Sequence, residues 1–159
     1  MHIFTDNKGH KWDVVLNVSQ MRRVRATLGI DLVNVITLDA KGEVKVDLID
    51  RIANDPCLLV DILCVLTKKQ AEKEGVTETE FGESLAGESI EEATKAFLDE
   101  LVDFFPGAKR LFLEKAVKLS RKYTEEMTSA LATALNSPEL EKRVAQSMNL
   151  SQSSQESLE

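Results

Sequence analysis

Residues 55–75 read DPCLLVDILCVLTKKQAEKEG, and this stretch decides the fold class. Asp55 before Pro56 is a helix start. The carboxylate accepts an early free N–H, and proline's fixed φ suits the first helical position. From Cys57 to Leu66 the residues are apolar on nearly every side, with Asp61 the one charge. A helix of that kind is central and buried. Its second half, TKKQAEKE, is charged, and Gly75 can take the left-handed conformation that ends a helix.

Upstream of this helix the chain begins as β structure. Residues 2–5 form a strand, Asp6, Asn7, Lys8 and Gly9 a turn, and residues 11–18 (KWDVVLNV) a second strand. Trp12, Val14, Leu16 and Val18 alternate onto one face. Two strands are barely stable alone, so this hairpin needs a helical layer to pack on. Ser19 then reads as a helix N-cap, with Met21, Val24, Ala26 and Leu28 apolar before Gly29 stops the helix. DLVNVITL, residues 31–38, fits a strand or a short buried helix, because a short apolar run does not settle its own period. DAKGEVKVD is a turn with a short extended piece, and residues 48–53 begin the helical body.

Downstream, Thr77 with Glu80 and Ser89 with Glu92 both match a capping box, and FGESLAG between them is a short helix or a pair of turns. Ile90, Ala93, Phe97, Leu101 and Phe104 make one apolar stripe, opposite Glu88, Glu92, Asp99 and Asp103. Pro106-Gly107 breaks the chain. A long amphipathic helix follows over residues 109–136. Its stripe is Phe112, Ala116, Leu119, Tyr123, Met127, Ala130 and Ala134, widened by Leu113, Val117 and Leu131. Ser137-Pro138-Glu139 opens one more short helix. After Leu150, SQSSQESLE has almost no apolar content and reads as a disordered tail.

The expected fold is therefore mainly α with a small N-terminal β-hairpin, an α+β chain with about 60% helix. One domain spans residues 1–150, followed by the tail over 151–159. Its core draws on Trp12, Leu16, Leu59, Ile62, Leu63, Leu66, Phe97, Leu101 and Phe104.

Composition narrows the function classes. The 159 residues carry 27 acidic and 20 basic side chains, for a net charge of −7. The excess sits in residues 54–105, where 13 acidic residues face 4 basic ones. Such a chain is a poor general binder of nucleic acid and is repelled by anionic membranes. No apolar run approaches the roughly 18 residues that span a bilayer. MHIFTDNKGHKW lacks the charged-then-apolar order of a signal peptide. Cys57 and Cys64 are too far apart on one helix to join, and read as small buried thiols in a reducing cytoplasm.

Catalytic and metal-binding patterns are missing. There is no HExxH or CxxC, no GxSxG, no GxxxxGK[ST] and no GxGxxG. His2 and His10 both sit in the hairpin and are not at i, i+4 on a helix. The expectation is no catalytic residue, no metal and no cofactor. Arg22, Arg23 and Arg25 crowd the first helix, and Lys115, Lys118 and Lys122 flank the long one. Little aromatic interleaving accompanies them, so they read as solvated surface. The long helix is the most suggestive element. Some 28 residues span about 42 Å, more than a small domain needs to cover itself. Its apolar face is a candidate docking surface for another helix or a second copy, with Phe112, Tyr123, Met127 and Leu131 as partner-binding residues.

One block also carries a resemblance. Residues 55–106, with the hairpin and RVRATLGIDLVNV before them, resemble tail assembly chaperones encoded in the tail modules of long-tailed phages and prophages. The markers are Asp55-Pro56, Gln70-Ala71, Gly75-Val76, Phe81-Gly82, Gly87 and FLDELVDFFP. The long helix and the Ser/Gln tail lie outside it. The resemblance implies a non-enzymatic protein that binds the tape-measure protein, and with it tail tube protein, in the host cytoplasm. A second reading is an acidic decoy, a phage-type inhibitor whose carboxylates mimic DNA phosphates. It is motivated by the acidic middle third.

Overall fold

Asp6 organises the N-terminal hairpin. β1 (His2–Thr5) and β2 (Lys11–Val14) pair antiparallel, His2 opposite Val14 and Thr5 opposite Lys11. In the loop between them Asp6 Oδ1 accepts the Lys8 and His10 N–H groups, each at 2.9 Å. Asp6 Oδ2 accepts the Trp12 indole N–H at 2.9 Å and lies 3.0 Å from His10 Nδ1. Burial alone would raise the Asp6 carboxyl, but the bonds from Trp12 and His10 outweigh it and hold the group down to about 2. The computed structural model describes the backbone of residues 1–155 and the side chains of residues 1–148.

The hairpin is covered by helices. Phe4 and Trp12 each meet the Phe81 ring edge-on, at 6.4 and 4.8 Å. Asn7 donates from its backbone to Ser84 O and from its amide to Ala86 O, both at 3.0 Å. The outer edge of β2 is closed by a side chain: Gln70 accepts the Asp13 N–H at 3.1 Å and donates to Lys11 O. A glutamine amide there replaces a third strand and blunts an edge that could pair with another chain.

β2 is shorter than the expected strand. It ends at Val14, opposite the first residue of β1. Leu16 is buried, but its N–H goes to Glu100 Oε1 at 3.0 Å instead of a ladder partner. Asn17, not Ser19, caps α1 (Val18–Leu28) by accepting the Gln20 N–H, which leaves Val18 exposed on the first turn. Gly29 ends α1 at φ +69°. The ambiguous stretch resolves as both readings. Leu32–Asn34 is a 3₁₀ turn capped by Asp31, and β3 (Thr37–Leu38) pairs with β4 (Val44–Lys45) around a turn held by the Asp39 carboxylate.

α2 (Asp47–Asn54) leads into α3 (Pro56–Glu74), which is the central helix as expected. Asp55 accepts the Leu58 N–H at 3.1 Å, and α3 packs on α1, α2, β2 and α4 (Glu78–Glu83). Leu59, Ile62, Leu63 and Leu66 are buried. The Thr77–Glu80 box forms in full at the start of α4. The Ser89 box does not. α5 (Glu88–Phe104) is entered through Gly87, and Ser89 turns inward, accepting the Ala86 N–H at 3.0 Å. α5 packs against β1 and β2 with Ala93, Phe97 and Leu101 buried. Phe104 is half-buried, and the neighbouring Phe105 takes the core position.

The fold is mainly α with a small N-terminal hairpin, and helix occupies 70% of the described residues. Where the sequence reading drew one domain over 1–150, packing separates residues 1–118 from residues 119–159. The division falls within α6 (Gly107–Leu135). α7 (Pro138–Gln155) is longer than the short helix expected and carries through 151–155 of the expected tail. Ser137 and Pro138 start it well, Glu139 and Glu141 suit its first turn, and no glycine or proline follows to break it. Residues 156–159 of that tail lie outside the described residues.

Candidate functional site

In the first unit, the opening of α6 is tied down by several contacts. The Lys109 ammonium donates to Val33 O at 2.6 Å and lies 4.1 Å from the Phe105 ring centre. Arg110 donates to Asp103 at 2.6 Å and to Glu114 at 3.3 Å. Asp103 also meets His2 at 2.9 Å, and that bond, with the nearby Arg110 charge, holds its carboxyl below the usual range. Leu113 and Val117 are buried. The packed face of this opening is therefore Leu113 and Val117, which the sequence reading placed beside the main stripe, while Phe112 is 37% exposed.

The second unit has a different character. No described residue from 119 to 148 is buried. Its polar face satisfies itself: the Thr124, Thr128 and Thr133 hydroxyls donate to the carbonyls of Ser120, Thr124 and Ser129, and Lys122 pairs with Glu126 at 3.6 Å. Its apolar side chains form a row. Leu119, Tyr123, Met127, Leu131 and Leu135 recur at every fourth position with exposures of 67, 66, 48, 58 and 64%. Residues four apart on a helix stack into one ridge, which is the feature that enters the groove of a partner helix. On α7, Leu140, Val144 and Met148 repeat the same spacing.

Three of the four sequence-selected residues, Tyr123, Met127 and Leu131, share this ridge. Phe112 stands off the four-residue spacing and belongs to the first unit. Leu135 was missed as a member, and Leu119 was assigned only to the general stripe. The strict spacing of four would have found both, whereas a 3.6-residue stripe mixes them with Ala130 and Ala134.

Elsewhere, Cys64 opens onto a cavity of about 180 Å³ between α3 and α4 that is also lined by Thr67, Ala71, Val76 and Phe81. Burial first, then the charges of Glu78 and Asp61, pushes its thiol up to about 11. A thiol held that high stays protonated at neutral pH and is a weak nucleophile. Both cysteines are free, but neither is fully buried as expected: Cys64 is half-buried, and Cys57, in the first turn of α3, is exposed. Among the described residues, no group of three or more His, Cys, Asp or Glu is placed to hold a metal ion. No described helix is long and apolar enough to cross a membrane. Set against family models, curated proteins and solved structures, the chain matches none.

Proposed function

We propose that this chain is a non-enzymatic tail assembly chaperone of a long-tailed phage. In this reading it acts in the host cytoplasm, holding the tape-measure protein, and with it tail tube protein, during tail morphogenesis. The sequence resemblance over residues 1–106 motivates the class. The observation that carries the reading is the exposed ridge from Leu119 to Leu135, which lies beyond the resembling block. Five large apolar side chains at one spacing on an otherwise self-satisfied helix suit the capture of another helix. Methionine and tyrosine in the row add adaptability and contact area. The exposed carboxylates of residues 54–105, the basis of the decoy reading, are spread over α3, α4 and α5.

The test is co-expression of the full chain with a tape-measure fragment from the same tail module. Met127 is exposed, so Met127→Glu should keep the parent's circular dichroism spectrum while co-purification is lost. A folded variant that still retains the fragment would reject the ridge as the binding face. Failure of the parent to retain any tape-measure or tail tube segment would reject the chaperone reading. Self-association that disappears in Met127→Glu would assign the ridge to a second copy instead.

A further inference from the structure

α1 reads VSQMRRVRATL: three arginines and no acidic side chain, in a chain where acids outnumber bases. Met21 and Val24 face the core, and on the opposite side Ser19, Arg22, Arg23 and Ala26 fall at i, i+3, i+4 and i+7. With Arg25 they line an open depression of about 380 Å³. Arg25 is neutralised by Asp31. Arg22 and Arg23 have no such partner among the described residues. The positions three and four residues away, where a carboxylate would compensate them, hold Val18, Ser19, Gln20, Arg25, Ala26 and Thr27. Like charges left without a neighbouring carboxylate on one short helix do not stabilise it.

We infer that this face docks an acidic segment of a partner protein, whose carboxylates are received between the Arg22 and Arg23 guanidinium groups. A guanidinium presents paired N–H donors that match a carboxylate. Small Ser19 and Ala26 leave room on either side for the incoming chain. A nucleic acid fits less well. Duplex binding draws on roughly 6–10 phosphate contacts, and α1 offers two unpaired guanidinium groups. α1 carries no aromatic ring on which a single strand could stack. The net charge of −7 opposes a long polyanion, whereas a short acidic segment brings only a few charges to a local cationic face.

The experiment is a nuclear magnetic resonance titration of the full ¹⁵N-labelled chain with hexaglutamate, and separately with hexathymidylate. Hexaglutamate should shift the amides of residues 18–28, with binding weakened several-fold between about 50 and about 200 mM salt. The double variant R22Q/R23Q should keep the parent spectrum elsewhere and lose these shifts. R22K/R23K, which keeps the charge without the fork, should bind hexaglutamate more weakly than the parent. The inference is overturned if hexathymidylate moves the same amides at lower concentration, or if R22Q/R23Q binds hexaglutamate as the parent does. It is equally overturned if no α1 amide moves by about 10 mM peptide, or if α1 amides shift with protein concentration alone, which would make a second copy the acidic partner.

Discussion

α5 and the second half of α6 carry the same kind of pattern and meet different fates. Each has large apolar side chains at helical spacing and charges on the other side. On α5 the stripe is covered: Ala93, Phe97 and Leu101 lie against the hairpin and α3. On α6 from Leu119 onward nothing in the described chain buries the ridge. Amphipathicity states that a helix has an apolar face to cover; it does not state whether the cover belongs to the same chain. The difference is made by the partners α5 has close by, namely β1, β2 and α3, and the Leu16 N–H, which Glu100 accepts.

This contrast breaks most directly in the core. Leu63 is fully buried, so Leu63→Ala should cost about 2–5 kcal/mol in chemical denaturation, through lost transfer energy and a residual cavity. An unchanged midpoint would mean that α3 is not the centre of the first unit.

Acid titration reaches the hairpin next. With the Asp6 carboxyl held at about 2 against an ordinary 3.8, the ionised group contributes about 2 kcal/mol above pH 3.8. That contribution should be lost as the pH falls through 2. Asp6→Asn should lower stability at neutral pH by about that amount and remove this part of the acid dependence. A variant with the parent's acid profile would place the loss on other carboxylates.

The edge of β2 gives a smaller effect. Gln70→Ala strips the Asp13 N–H and the Lys11 carbonyl of their partner, and water can replace part of it. A loss of about 1 kcal/mol is expected by thermal or urea denaturation, with amide exchange at Asp13 speeding up.

The smallest effect sharpens the comparison from the other side. Leu131→Ala, on the exposed ridge, should change unfolding of the isolated chain by no more than about 0.5 kcal/mol. A loss as large as that of Leu63→Ala would show that the ridge is covered within the molecule.

Several features of the fold were legible because their causes are local. Asp55-Pro56, Gly29, Gly75 and the Thr77–Glu80 box act within a few residues of themselves, and each appears where the sequence placed it. The misreadings share the opposite cause. Alternation through Leu16 carries the expected second strand to Val18, yet the Leu16 amide is taken by Glu100 from a distant helix. Ser89 matched a cap by spacing, but the core draws its hydroxyl inward to Ala86. Phe104 and Phe105 are adjacent, and only packing decides which of them is buried. At the candidate site the stripe was visible in the sequence, and a strict spacing of four separates Leu119 and Leu135 from Phe112; that the row from Leu119 to Leu135 is uncovered required the exposures.

By itself the sequence determined the helix-rich class, the hairpin, the central helix and most helix ends, since propensity, capping and periodicity depend on neighbours along the chain. It also determined where the charge lies, because charge follows composition. Only the tertiary structure decided where packing ends, at the 118/119 division within a helix that runs through it. Only the tertiary structure left the Leu119–Leu135 ridge and the Arg22–Arg23 face uncovered. Burial depends on what meets a face across space, and helical spacing leaves that open.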